Sequence, residues 1–200
     1  SERLNILGDF MYLKDTTLDS ELEETGRVVD REDRKRYQGE GTLSYGLNEI
    51  SEIDMEYQYR STEYESRSST DRTTNRVRLS YKRWFNDRLD QVTLRPSYTI
   101  VDTEDNRDIE YYNFSVGWTH IFSETLTMRN FIGYGQTITK ENGNQDSTWT
   151  GNADLNITQT GEIFSFRIGI RNNINLNADG ELEEVDRLYC YINKKMTERL

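Results

Sequence analysis

Along most of this chain apolar and polar residues alternate one by one, in segments of ten or so separated by turn-forming or charged stretches. A period of two marks a β-strand with one apolar and one polar face, whereas a helix repeats every 3.6 residues. Residues 36–46 are the cleanest case. Tyr37, Gly39, Gly41, Leu43 and Tyr45 take one face, and Arg36, Gln38, Glu40, Thr42 and Ser44 the other. The same alternation places a first strand over residues 3–14, with Leu4, Ile6, Gly8, Phe10 and Tyr12 on one face. A third covers 50–64, setting Ile53, Met55, Tyr57 and Tyr59 against Glu52, Asp54, Glu56, Gln58 and Arg60, and a fourth covers 75–84. The fifth alternates Val92, Leu94, Pro96, Tyr98 and Ile100 with Gln91, Thr93, Arg95, Ser97 and Thr99. The sixth shows Tyr112, Phe114, Val116 and Trp118. The seventh, 126–139, is less regular because Asn130 interrupts its apolar face, while Arg129 and Phe131 share the other. Further strands carry Trp149 to Ile157, Phe164 to Ile170 and, over residues 185–195, Leu188, Cys190 and Ile192. Ten strands and no helix are expected.

A turn phrase punctuates them. Phe85-Asn86-Asp87-Arg88-Leu89 returns as Phe122-Ser123-Glu124-Thr125-Leu126 and Met196-Thr197-Glu198-Arg199-Leu200, with looser copies ending at Ile50 and Ile163. Leu89, Leu126, Ile163 and Leu200 lie 37 apart, and Ile50 precedes Leu89 by 39. That period fits two strands, a tight turn and a longer loop, the unit of an antiparallel meander. Ser1-Glu2-Arg3-Leu4 matches Thr197-Glu198-Arg199-Leu200 and opens the chain in the same kind of turn. Residues 15–35, 65–74, 102–110 and 140–146 read as polar loops, the last with the turn pair Asn142-Gly143.

Composition narrows the class. Hydrophobic content of 34% and a mean hydropathy of −0.90 are low for a globule with a thick core. Disorder is excluded by 13 Tyr, 7 Phe and 3 Trp spread through alternating segments. One Pro in 200 residues fits a chain that is mostly ladder. A net charge of −11 argues against a nucleic-acid partner, which needs clustered cations. Cys190 is alone, so neither a disulfide framework nor a Cys-based metal site is expected, and it reads as a small packing hydrophobe. No apolar run of about 20 residues crosses a membrane as a helix, which leaves strands as the means of crossing.

An apolar and a charged face suit either a soluble sandwich, apolar side inward, or a membrane barrel, apolar side to lipid. Two features favour the barrel. Connections at one end are expected to be four or five residues and at the other about 7 to 21, the asymmetry of transmembrane barrels. Aromatic residues gather at both ends of the strands: Tyr45, Trp84, Phe85, Trp118, Phe122 and Phe164 by the short turns, Tyr12, Tyr37, Tyr59, Tyr98, Tyr112, Tyr134 and Trp149 by the long loops. On these features the sequence resembles bacterial outer-membrane β-barrels, the porin-like, channel-forming class in particular. The resemblance covers the whole chain and rests on pattern, not on a residue motif. It implies an all-β, antiparallel, up-and-down transmembrane barrel occupying residues 1–200, in the outer membrane of a Gram-negative cell, with the lipid bilayer as partner. Such proteins usually end on a strand closed by an aromatic residue, whereas this chain ends at Leu200 in a turn phrase. Either the chain is a piece of a larger barrel or its last strand is missing. A closed ring of ten would bury six arginines against five acids in a narrow lumen, and the opening and closing phrases look like members of one series. The strands are therefore expected to belong to a wider wall, completed by further strands or other copies. Continuous pairing between the Ile6 and Ile192 regions would count against that.

The face opposite the apolar one would line the lumen. It carries Glu40, Glu52, Asp54 and Glu56 on the second and third strands, then Arg76, Arg78, Arg95, Arg129, Arg167 and Arg171 on the fourth to ninth, with Asp154 among them. Segregated acid and base either set up a transverse field for polar or anionic solutes or make cross-strand ion pairs that hold the wall together. The function expected is a porin-like conduit for polar solutes. One alternative is a structural sheath or anchor around an occupant such as a secreted chain, a polysaccharide or an electron carrier. Another is a soluble β-sandwich or barrel acting as a binding module. Catalysis is not expected: His120, the only histidine, falls on the apolar register beside a short turn, unlike the rim histidines of ten-stranded omptin-type proteases. Glu23-Glu24 and Glu183-Glu184 read as solvated loop charges. Asn175, Asn177, Asp179 and Asp186 echo a calcium loop in spacing, but Asn replaces the usual first Asp and no helices flank it, so an Asp-Gly turn is the simpler reading. No cofactor is expected.

Overall fold

A computed structural model describes residues 3–16, 33–65, 71–104, 107–141, 143–161, 164–176 and 182–194. Ten strands follow one another: β1 (Leu4–Thr16), β2 (Asp33–Asn48), β3 (Ser51–Tyr64), β4 (Arg72–Phe85), β5 (Asp90–Thr103), β6 (Arg107–Ile121), β7 (Leu126–Glu141), β8 (Asn144–Thr160), β9 (Phe164–Leu176) and β10 (Leu182–Lys194). They form one antiparallel meander in chain order. β1 pairs with β2 and β10 with β9, and no ladder joins β1 to β10, so the sheet is open. The only helical element among the described residues is a single 3-10 turn over Asn86–Arg88, with all three residues at positive φ.

The turn phrase sits where expected: Ile50 and Leu89 immediately precede β3 and β5, and Leu126 begins β7. The copies ending at Ile163 and Leu200, and the opening Ser1-Glu2, lie outside the described residues. The expected loops need correction. β5 runs to Thr103 and β6 starts at Arg107, while β7 and β8 are parted only by 142–143, where Gly143 takes φ 81°. β1 likewise continues to Thr16, β2 starts at Asp33 and β4 at Arg72. Alternation underestimates these ends because both faces are polar there, yet the backbone ladder continues and charged side chains pair across it. Arg34 donates to Asp15 at 2.9 Å from the facing position, Arg107 faces Glu141, and Lys140 reaches Glu110. The expected sorting of connection length by end therefore survives in residues 17–32 and 65–71, and weakly in the five residues 177–181, while 104–106 and 142–143 are as short as the opposite turns.

The two faces are inverted relative to a soluble protein. On the apolar face Phe10 is 69% exposed, Ile132 65% and Leu188 78%, whereas on the polar face Thr93 is 2% and Thr119 5% exposed. Buried apolar side chains among the described residues are few: Tyr64, Val101 and Ile109, all on the polar side. The sheet curls with its polar face inward, and side chains two strands apart meet across it. Asn152 on β8 donates to the Tyr111 hydroxyl on β6 at 3.3 Å, though alternate strands stand about 9.5 Å apart. Pro96 lies in the middle of this sheet; it pairs with Phe114 on β6, but the β4–β5 ladder skips from Arg78↔Ser97 to Tyr81↔Leu94. A missing N–H accounts for the skip.

Ile109, which faces Val101 and Thr139 and is 1% exposed, is the best-enclosed apolar side chain on the inner face. Ile109→Ala is expected to cost about 2–4 kcal/mol of stability, while Ile132→Ala on the outer face changes it by less than about 1 kcal/mol. Thermal unfolding of both variants in detergent micelles checks the contrast.

Candidate functional site: the polar face

The polar face is built by register. Every second residue of each strand points inward, and antiparallel pairing brings those positions into rows. The structure divides the expected lumen residues into paired and unpaired sets. Arg78 donates to both Glu56 oxygens at 2.9 and 3.1 Å from the facing position on β4. Lys82, which alternation alone did not single out, bridges Glu52 at 2.9 Å and Asp54 at 2.5 Å. Arg171 reaches Asp154 from facing β9 at 2.8 and 2.9 Å. For these residues cross-strand pairing accounts for the placement of acid beside base. Four arginines are different. Arg76, Arg95, Arg129 and Arg167 make no salt bridge among the described residues; Arg76 donates only to the Thr99 hydroxyl, at 3.2 Å. Glu40 likewise has no ion pair, and it faces Asp9.

Aromatic rings lie flat against this face over glycines, a feature visible only once the register is known. Phe131 covers Gly117 directly opposite, Tyr111 covers Gly135, and Tyr189 covers Gly169, leaving no room for a Cβ at any of the three. The Phe131 ring then carries the Arg95 guanidinium 4.1 Å above its centre, a cation–π contact that holds the charge in place without neutralising it. Tyr111 accepts hydrogen bonds from Asn113 at 2.8 Å and from Asn152. Two adjoining hollows result, one of about 320 Å³ against Arg76, Arg78, Arg95 and Tyr111, the other of about 400 Å³ against Arg95, Arg129, Arg167 and Tyr189. Phe131, Asp154 and Arg171 border both.

On the outer face the aromatic residues make cross-strand pairs. Tyr12 and Tyr37 (ring centres 5.2 Å apart), Tyr98 and Tyr112 (4.6 Å), and stacked Tyr134 and Trp149 (5.2 Å) sit towards the long-connection end. Tyr45, Phe85, Trp118, Phe122 and Phe164 are exposed near the short turns. Trp84 departs from this girdle: facing Gln91, it shares the inner face with Lys82. His120 lies on the apolar register as expected, its Nδ1 2.6 Å from Asp90 Oδ1, and Asp90 also accepts from Trp118 Nε1 at 3.1 Å. No nucleophile adjoins that pair in the described residues, and its partners belong to the aromatic rim. At the opposite rim Lys14 donates to Glu65 at 2.8 Å, which holds the Glu65 carboxyl below its ordinary range.

The calcium-like phrase is not a loop at its ends. Asn175 belongs to β9, and Asp186 belongs to β10, facing Asn172 and accepting from its side-chain amide at 2.8 Å. Asn177 and Asp179 lie outside the described residues. A twelve-residue loop cannot form where both flanks are ladder. No group of three potential metal ligands occurs among the described residues. Cys190 is exposed on the apolar face instead of packed, like the residues beside it, because no second layer covers that face among the described residues.

No protein-family model and no curated protein matches this sequence. The site is read from its own geometry. Gly117→Val should displace the Phe131 ring and with it the Arg95 guanidinium, lowering stability by about 1–3 kcal/mol. Thermal unfolding of the variant in detergent, compared with Gly41→Val, where a Cβ meets nothing, measures that cost.

Proposed function

We propose that this chain forms the wall of an outer-membrane β-barrel that conducts polar solutes and performs no catalysis. The observation that carries the reading is the inversion of the faces: large apolar side chains point outward from β1 to β10, and charged ones line the inside of the curl. In water such a surface far exceeds the apolar patches that monomers expose. No second layer covers it among the described residues, and a sandwich would need one. Lipid supplies the cover. Exposed aromatic residues at two levels fit the interfaces of a bilayer. The free edges of β1 and β10 carry unpaired backbone groups, which a bilayer does not tolerate. On this reading they are joined by further strands or other copies, consistent with the expectation of a wider wall.

Two measurements test it. Prepared without detergent the protein should aggregate; a monodisperse species in plain buffer would sink the membrane reading. Ile132→Arg, at mid-strand on the apolar face, should cost about 2–4 kcal/mol when folding is followed into lipid vesicles, whereas a soluble sheet would pay little for a charge at so exposed a position.

One observation favours the sheath alternative. Leu7, Met11 and Leu13 give β1 an apolar inner face, with Leu7 62% exposed, and Tyr191 stands on the inner side of β10. Apolar groups inside a polar lumen suit contact with an occupant. Conductance in planar bilayers separates the two: a conduit passes ions as purified, and a sheath stays silent until its occupant is removed.

A further inference from the structure

The register arranges six of the inner arginines, Arg76, Arg78, Arg95, Arg129, Arg167 and Arg171, in a way that their positions along the chain do not disclose. β7 serves as a ruler, its inward residues being Thr137, Gly135, Gly133, Phe131, Arg129 and Thr127. Traced strand to strand, Arg76 shares the row of Thr137 through Thr99 and Tyr111. Arg78 shares the row of Gly135 through Ser97 and Asn113, and Arg95 that of Gly133 through Ser115. Arg171 shares the row of Phe131 through Asp154, and Arg167 that of Thr127 through Thr158. Arg129 occupies its own row. Six successive rows thus each hold one of these arginines, descending from near the start of β4 at the long-connection end to near the start of β9 at the short-turn end. Neighbouring rows are two residues apart, about 7 Å.

Over the first four rows of this descent free and neutralised arginines alternate, and the last two rows both carry free ones. Arg76 is unpaired, Arg78 is held by Glu56, Arg95 is unpaired on the Phe131 ring, Arg171 is held by Asp154, and Arg129 and Arg167 are unpaired. An anion that left Arg76 or Arg95 would meet the next free guanidinium two rows and one or two strands away, about 15–17 Å, a distance a divalent or longer anion spans in part, over half-neutralised ground. Uninterrupted free arginines would bind such an anion too tightly to release it, and conduction needs several weak sites in series. The planar guanidinium fork matches a carboxylate, phosphate or sulfate group and not a halide.

We propose that the six arginines form a track for oxyanion-bearing solutes, which pass along the wall from row to row. The proposal rests on the conduit reading and names its solute class. Its test uses the full chain reconstituted in planar bilayers under a KCl gradient, with inorganic pyrophosphate added to one side. The variant Arg76→Gln/Arg95→Gln/Arg129→Gln removes free charges; Arg88→Gln, in the β4–β5 turn, controls for charge loss elsewhere; single Arg129→Gln, at an exposed position, serves should the triple variant fail to fold. Wild type and Arg88→Gln should be anion-selective and blocked by pyrophosphate. The triple variant should lose at least about threefold in anion-to-cation permeability and need about tenfold more pyrophosphate for block, and Arg129→Gln part of each. A channel that conducts but prefers cations, or whose block is unmoved by Arg129→Gln and the triple variant, overturns the track and leaves the conduit. If no current flows the conduit fails, and calorimetry with pyrophosphate on the detergent-solubilised protein decides the rest: binding weakened about tenfold in the triple variant retains an oxyanion site on the wall, and absence of binding overturns that as well.

Discussion

Everything in this molecule depends on the register holding through nine strand interfaces. Side chains repeat with period two, so a slip of one residue at any interface would carry a whole strand's apolar set to the polar side. Traced across the sheet, Ile6 faces Leu43, Leu43 faces Met55 and Met55 faces Leu79; beyond Pro96, Phe114 faces Tyr134 and Tyr134 faces Gly151. The one shift is at Gly46 and Asn48, beside the β2–β3 turn, where it moves little. Even Pro96, which breaks the ladder to β4, leaves the pairing on either side in step. Turn chemistry and the mismatch cost of a half-apolar sheet act together here.

How far this was legible in the sequence follows from what alternation encodes. It fixes which residues share a face, so strand number, order and the division into apolar and polar sides could be read directly. It fails where both faces are polar. The ends of β5, β6, β7 and β8 looked like loops for that reason, although Arg107, Glu141 and Asp108 face ladder partners there. It also says nothing about pairing between strands. The ion pairs of Glu56 with Arg78 and of Asp154 with Arg171 needed the register, and so did the rings over Gly117, Gly135 and Gly169. A glycine on the polar side of a strand, with an aromatic at the matching position of its neighbour, is the signal that could have found them.

Those rings explain how a polar face can hold arginines in fixed places without opposing each with an acid. A ring laid over glycine occupies the space that a Cβ would fill and rests against the backbone there. Arg95 uses such a ring as its seat, 4.1 Å above Phe131, and Arg171 lies 6.0 Å from the centre of Tyr189. Position and neutralisation are thereby uncoupled. Carboxylates fix some of the inner cations, Arg171 among them, and cancel them; the Phe131 ring fixes Arg95 and leaves its charge available.

Unneutralised charge on the inside of a curl sets a condition on what fills it. A guanidinium without a carboxylate partner costs several kcal/mol in a dry interior, and Arg76, Arg95, Arg129 and Arg167 share one face. Water must therefore reach that face. In barrels of about eight strands the side chains themselves fill the lumen, and open water belongs to those of 16 or more. A ring closed from these ten strands would sit near the narrow limit and leave the inner arginines little room for water. On the conduit reading the charge demands water, water demands width, and width demands more wall than ten strands supply, which is the same completion that the unpaired edges of β1 and β10 require on quite separate grounds.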